Sequence, residues 1–186
     1  MNIDISIMNQ FTQFQWLSRG LTAQSLDFSR VGHTPSKDAI NYQDRLGAIA
    51  KMETQLAKSV SSLIIYNGKS EEDYKFIRNH LALIMLKEAG KDKKREPEYI
   101  AIHHLAWLIA RMVIDFSLNP DLEKNFTAQG RLYYAGITAY KMSADVYRMT
   151  WKPYEKLMQL ALESAIAEAE DTIREYRKDT YKELQL

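Results

Sequence analysis

A chain of 186 residues without cysteine carries 25 Lys and Arg against 24 Asp and Glu, for a net charge of +1. This length suits one domain, or one domain with an appendage, and folding buries about 70% of the surface the unfolded chain exposes, so no covalent staple is needed. The lack of cysteine excludes disulfides, thiolate zinc sites, iron–sulfur ligation and cysteine nucleophiles, and the balanced charge excludes a broadly basic nucleic-acid binder, leaving only a local patch for such contacts.

In chain order, Met1–Met8 mixes Asn2 and Asp4 with apolar residues and has no Lys or Arg before them, so no export signal is expected. No stretch reaches the ~20 apolar residues of a membrane span. A cytoplasmic protein without a membrane partner is expected. Phe11, Phe14, Trp16 and Leu17 predict a short amphipathic helix, and Gly20 to Pro35 reads as a loop, with Gly32 and Pro35 as breakers. From Ser36 a helical period runs through Tyr42, Leu46, Ile49, Leu56, Val60 and Leu63 to a stop at Asn67-Gly68. Ser70 is placed to cap the next helix, with Glu71, Glu72 and Asp73 at its positive end, Tyr74, Ile77, Leu81, Ile84 and Met85 as its apolar face, and Gly90 as its end.

Lys91 to Glu96 is a charged connector, and Pro97 suits the first turn of a helix over 98–118. That helix is apolar on nearly every face, as a central buried helix should be, and Asn119-Pro120 closes it. The last helix is expected from Trp151-Lys152-Pro153 to about residue 182, a rod of roughly 45 Å. Leu162, Ile166, Ala169, Ile173, Tyr176 and Thr180 form its heptad seam. No strand-like alternation occurs, so the expected fold class is all-α: a helical bundle over 1–150, including a helix-turn-helix at 127–151, then a long C-terminal helix over 151–186.

Candidate chemistry is sparse. Of His33, His80, His103 and His104, the adjacent pair lies about 100° apart on a helix and has Trp107 and Leu108 at i+4, not ligands. These read as core or boundary histidines. The acidic groups at 71–73 and at Glu168, Glu170 and Asp171 read as solvated faces. Asp115, four residues after Arg111 in the apolar helix, reads as an ion pair or a buried hydrogen-bonded carboxylate. The basic cluster Lys87, Lys91, Lys93, Lys94 and Arg95 reads as a solvated connector. No GxGxxG, P-loop or GxSxG is present, so no enzymatic activity, catalytic residue, metal or cofactor is expected.

The most informative segment is 127–154. Thr127 can cap one short helix and Ser143 a second, which would bury Val146 and Met149 and project Asp145, Arg148 and Lys152. The turn has two registers, one at Gly136-Ile137 and one at Lys141-Met142-Ser143. The run Met142-Ser143-Ala-Asp-Val-Tyr-Arg-Met-Thr-Trp-Lys-Pro-Tyr-Glu resembles the end of the helix-turn-helix of phage regulators, where Ile-Ser-x-x-x-Tyr-Arg-x-Trp precedes a long helix. Trp16 with Gly32-His33-Thr34-Pro35-Ser36 is similar to the N-terminal segment of Q-type phage late-gene antitermination proteins. The resemblance implies a transcription regulator that binds double-stranded DNA near a late promoter and engages RNA polymerase. The DNA-binding set is then Arg131, Lys141, Arg148, Lys152 and Lys156, opposed by Asp145 and Glu155, with Arg148 on base edges and Lys152 on phosphate. A homodimer through the C-terminal seam would suit a palindromic site; the alternative is that the seam packs back on the chain's own bundle, centred on residues 98–118. The other reading is a helical adaptor or inhibitor that binds a protein, its interface drawing on Tyr133, Tyr134, Tyr140 and Tyr147.

Overall fold

The computed structural model describes residues 11–21 and 42–183, and the regular elements among them are all helical, with no strand. The expectations for Met1–Met8, for most of the Gly20–Pro35 loop, for His33 and for the start of the helix read from Ser36 lie outside the described residues. In order the elements are α1 (Thr12–Leu21), α2 (Tyr42–Lys51), α3 (Gln55–Ile65), α4 (Glu71–Lys91), α5 (Ile102–Leu118), α6 (Pro120–Lys124), α7 (Ala128–Ala135) and α8 (Ala144–Val146). A π turn over Tyr147–Trp151 joins α8 to α9, Lys152–Glu183. Two compact units form. The first holds the described residues up to Glu71 and those from Ala165 onward; the second spans Glu72–Ser164. The division thus differs from a 1–150 body with an appended helix, because α9 contributes to both units.

In the first unit, Phe14 and Leu17 of α1 are fully buried, as the amphipathic pattern predicts. Arg45 of α2 lies 5.6 Å from the centroid of the Trp16 ring. The single helix read across residues 42–63 is broken at 52–54. Glu168 of α9 explains the break. Its Oε1 accepts the backbone N–H groups of Glu53 and Thr54 at 2.9 and 2.8 Å, and Thr54 Oγ1 donates to its Oε2 at 2.7 Å. Thr54 Oγ1 also accepts from Ala57 N, capping α3. A helix start leaves N–H groups without partners and attracts negative charge, and here a carboxylate 114 positions away fills that need. Glu168 is therefore half-buried and engaged, not on a solvated face. Asn67 and Gly68, with φ of 50° and 72°, end α3 as read.

In the second unit, α4 buries Ile77, Leu81, Met85 and Ala89. It runs one residue past Gly90, and its chain reversal uses Lys93 at φ 51° with a bond from Lys94 N to Ala89 O. Helix α5 starts at Ile102, not at Pro97. The Glu96 carboxylate accepts the Ile102 N–H at 2.9 Å, so residues 97–101 form the turn leading into it. Leu105, Ile109, Met112 and Phe116 of α5 are buried, but His103, His104 and Trp107 face out. The two histidines are therefore exposed, contrary to the core or boundary reading.

Helix α9 buries Met158, Leu162, Ile166, Ala169 and Ile173 in a single chain. The seam is not an exposed stripe awaiting a second copy. Farther along, Tyr176 meets α2 so closely that a Cβ on Gly47 would stand 2.7 Å from its Cζ, and Lys51 lies over its ring at 5.0 Å. Pro153 explains the π turn. Proline offers no N–H and its ring crowds the carbonyl four residues back, that of Met149. The chain widens there, and Lys152 N–H reaches back five residues to Tyr147 O.

Candidate functional site

Within the second unit, both sequence-read caps of the 127–151 segment form. Thr127 Oγ1 accepts from Gly130 N at 3.1 Å, and Ser143 Oγ accepts from Val146 N at 3.3 Å. Gly136, at φ 88°, ends α7. The two proposed turn registers are thus the two ends of one connector, residues 136–143. That is longer than the three or four residues of a tight helix-turn-helix. The second helix does not stand alone either, because it continues through the π turn into α9. Its buried face is Tyr147, Trp151, Tyr154 and Glu155, whereas Val146 and Met149 are 51% and 75% exposed. The expected face is corrected by about one residue.

Glu155 is the hub of this region. It is buried, yet it accepts from Arg131 Nη2 at 2.6 Å, from the Tyr147 hydroxyl at 2.6 Å and from Lys152 Nζ at 3.0 Å. Arg131 also pairs with Glu123 at 2.5 Å. Burial, then the charge of Glu155 and the bond to it, push the Tyr147 hydroxyl well above its usual value and keep it a donor. Around this hub lies a cleft of about 440 Å³, bordered by Arg131, Arg148, Lys152, Asp145 and the first turn of α7.

Three of the five cations read as a DNA-binding set, Arg131, Arg148 and Lys152, border one cleft, and each is paired with a carboxylate. Arg131 and Lys152 share Glu155. Arg148 is exposed but pairs with Asp145 at 3.0 Å. Lys141 is half-buried, with Nζ 3.4 Å from the Gly136 carbonyl. Lys156 is exposed. The face is mixed in charge, not continuously positive. Of the four tyrosines, Tyr133 and Tyr140 are exposed, Tyr134 is half-buried and Tyr147 is buried.

Asp115 is a buried hydrogen-bonded carboxylate. It accepts the Tyr134 hydroxyl at 2.9 Å, while Arg111 donates to the Tyr134 carbonyl at 2.8 Å. Burial pushes the Asp115 carboxyl up, against the Tyr134 bond, the Arg111 charge and the Tyr74 hydroxyl. Phe116 stacks on Tyr134, and Phe126 packs against both rings, so this cluster serves the core.

Sequence reasoning missed a second surface, between α4 and α5. Ala82, Leu83 and Leu86 form one wall, and Ala101, His104 and Trp107 the other, around a groove of about 480 Å³. Leu83 is 63% and Trp107 48% exposed. The signal was in the sequence, since Leu83 falls outside the Ile77–Leu81–Met85 face and Trp107 sits where a wholly buried helix would hide it.

Among the described residues no group of three or more His, Asp or Glu is placed to hold a metal ion, and no helix is long and apolar enough to cross a membrane. No protein-family model, no curated protein and no solved structure matches the chain.

Proposed function

We propose that this all-α chain is a protein-binding module. The observation that carries the reading is the α4–α5 groove, where Leu83 and Trp107 stand in solvent beside other apolar side chains. Large apolar groups clustered in a concave surface mark interaction sites. The mixed charge of the 131–156 face supports the same reading, because cations already bonded to carboxylates gain less from phosphate.

The competing proposal is a regulator that binds double-stranded DNA through Arg131, Lys141, Arg148, Lys152 and Lys156, engages RNA polymerase and dimerises. What favours it is the Ser143-capped helix start, followed without a break by Arg148 in the π turn and by Lys152 and Lys156 on α9. Two measurements separate the proposals. The first is titration of labelled duplex DNA at ~50 mM salt, where phosphate contacts are strongest. The second is photo-crosslinking in the host cell from residue 83, with residue 156 as the exposed control. The binding-module reading expects no salt-dependent DNA complex and discrete protein adducts from 83 alone. A DNA complex weakened by Arg148→Ala and Lys156→Ala, with no adduct from 83, would overturn it.

A further inference from the structure

Resting on that reading, we infer that the α4–α5 groove binds an acidic amphipathic helix of another protein, seated between Leu83 and Trp107. Shape and charge argue for this occupant together. The groove runs between two helices, and its α4 wall extends from Asn79 to Leu86. That is about 10 Å, or two helical turns. A helix presenting apolar side chains at i, i+3 or i+4, and i+7 fills such a space by laying its apolar face along the groove. No strand edge occurs among the described residues for an extended peptide to join.

Charge then selects the flanks of that helix. Residues 74–87 and 99–114, which include every residue lining the groove, contain no Asp or Glu, although the chain holds 24 of them. The same segments carry Lys75, Arg78, Lys87 and Arg111, the last bonded to the Tyr134 carbonyl, together with His80, His103 and His104. Arg78 stands over the Trp107 ring, 4.9 Å from its centroid, and so brings its charge beside one wall of the groove. His103 and His104 border the groove themselves. Acidic residues flanking the apolar stripe of a partner would face Arg78 and Lys87, basic ones would be repelled, and electrostatic complementarity of this kind sets which partner docks. A second copy of the same surface would bring like charge against like charge, which disfavours self-pairing.

The test uses the full chain and two fluorescein-labelled helical peptides with the same leucine stripe, one flanked by Glu and the other by Lys. Anisotropy at low salt is expected to show the Glu peptide binding about ten-fold or more tightly than the Lys peptide, with the gap narrowing as salt screens the charges. Leu83→Glu, at an exposed position, should cut Glu-peptide affinity at least ten-fold with an unchanged circular dichroism spectrum. Trp107→Ala should do the same. Equal binding of both peptides, binding of neither, or Leu83→Glu without effect overturns the proposal. So does a wild-type dimer at about 100 μM, well above ordinary specific contact strengths, that Leu83→Glu dissolves, because the occupant is then a second copy. Protein adducts from residue 83 in cells alongside failure of the Glu peptide overturn the acidic helix and leave the binding-module reading standing. Failure of both removes the two together.

Discussion

Replacing Glu155 with alanine tests the hub of the second unit. The change removes the acceptor of Arg131, Lys152 and the Tyr147 hydroxyl at once. Taking one partner from a buried ion pair costs about 3–5 kcal/mol, because the other charge stays buried without compensation. Two features of this site place the cost near the lower end. Arg131 keeps Glu123, and the Lys152 side chain is 47% exposed and can turn to water. Tyr147 is buried and cannot, so its hydroxyl loses its partner outright. An expected loss of about 3 kcal/mol lowers Tm by roughly 6–12 °C in a chain of this size. Glu155→Gln keeps an acceptor for Tyr147 and should cost less, about 1–2 kcal/mol. Replacing both partners with apolar residues, as in Arg131→Met with Glu155→Leu, should recover part of the loss. Urea denaturation followed by circular dichroism at 222 nm gives all three numbers. A Glu155→Ala variant within about 0.5 kcal/mol of wild type, the range of ordinary surface changes, would show that the hub holds nothing together.

Three further outcomes follow from single residues. Burial raises the Asp115 carboxyl above its usual value, so between about 3.9 and that raised value the native state binds more protons than the unfolded one and stability falls as pH rises. Asp115→Asn should therefore gain on wild type as pH is raised from about 4 to about 7, and a flat or reversed difference in urea midpoints across that range refutes the sign. Gly136→Ala should destabilise by about 1 kcal/mol, because φ is +88° while the nearest side-chain atom to a new Cβ, Leu108 Cδ2, is a comfortable 3.8 Å away. Gly136→Asn should cost less, since asparagine tolerates the left-handed region, and equal losses would point to space instead of backbone. Ile173→Asp, at a fully buried position, should abolish cooperative folding, whereas a folded monomer with the wild-type spectrum would return the α9 seam to an interface between copies.

What the sequence disclosed and what it hid follow from the range of the interactions involved. Caps are local, so Thr127, Ser143 and the Asn67-Gly68 stop could be read from their neighbours, and all three act as read. The break at 52–54 could not, because its cause is Glu168, far along the chain, and periodicity carries no information about a distant carboxylate. The buried face of residues 144–155 lies between these cases. Pro153 invites a helix start, and a short helix ending before it is free to choose its own face, hence Val146 and Met149. The π turn lets the helix pass the proline, so the phase is set by α9 instead. Stepping back from Leu162 by four and then three or four reaches Met158, then Glu155 and Tyr154, then Trp151 and Tyr147, all buried. Continuity also places a carboxylate in the seam. A buried carboxylate draws cations to itself, and the cations within reach are Arg131 and Lys152, two of the five that looked free for phosphate. Two of the five cations read as a DNA-binding set thus answer to a carboxylate in the core. The lining of the groove between α4 and α5 holds no carboxylate of its own to draw such cations inward.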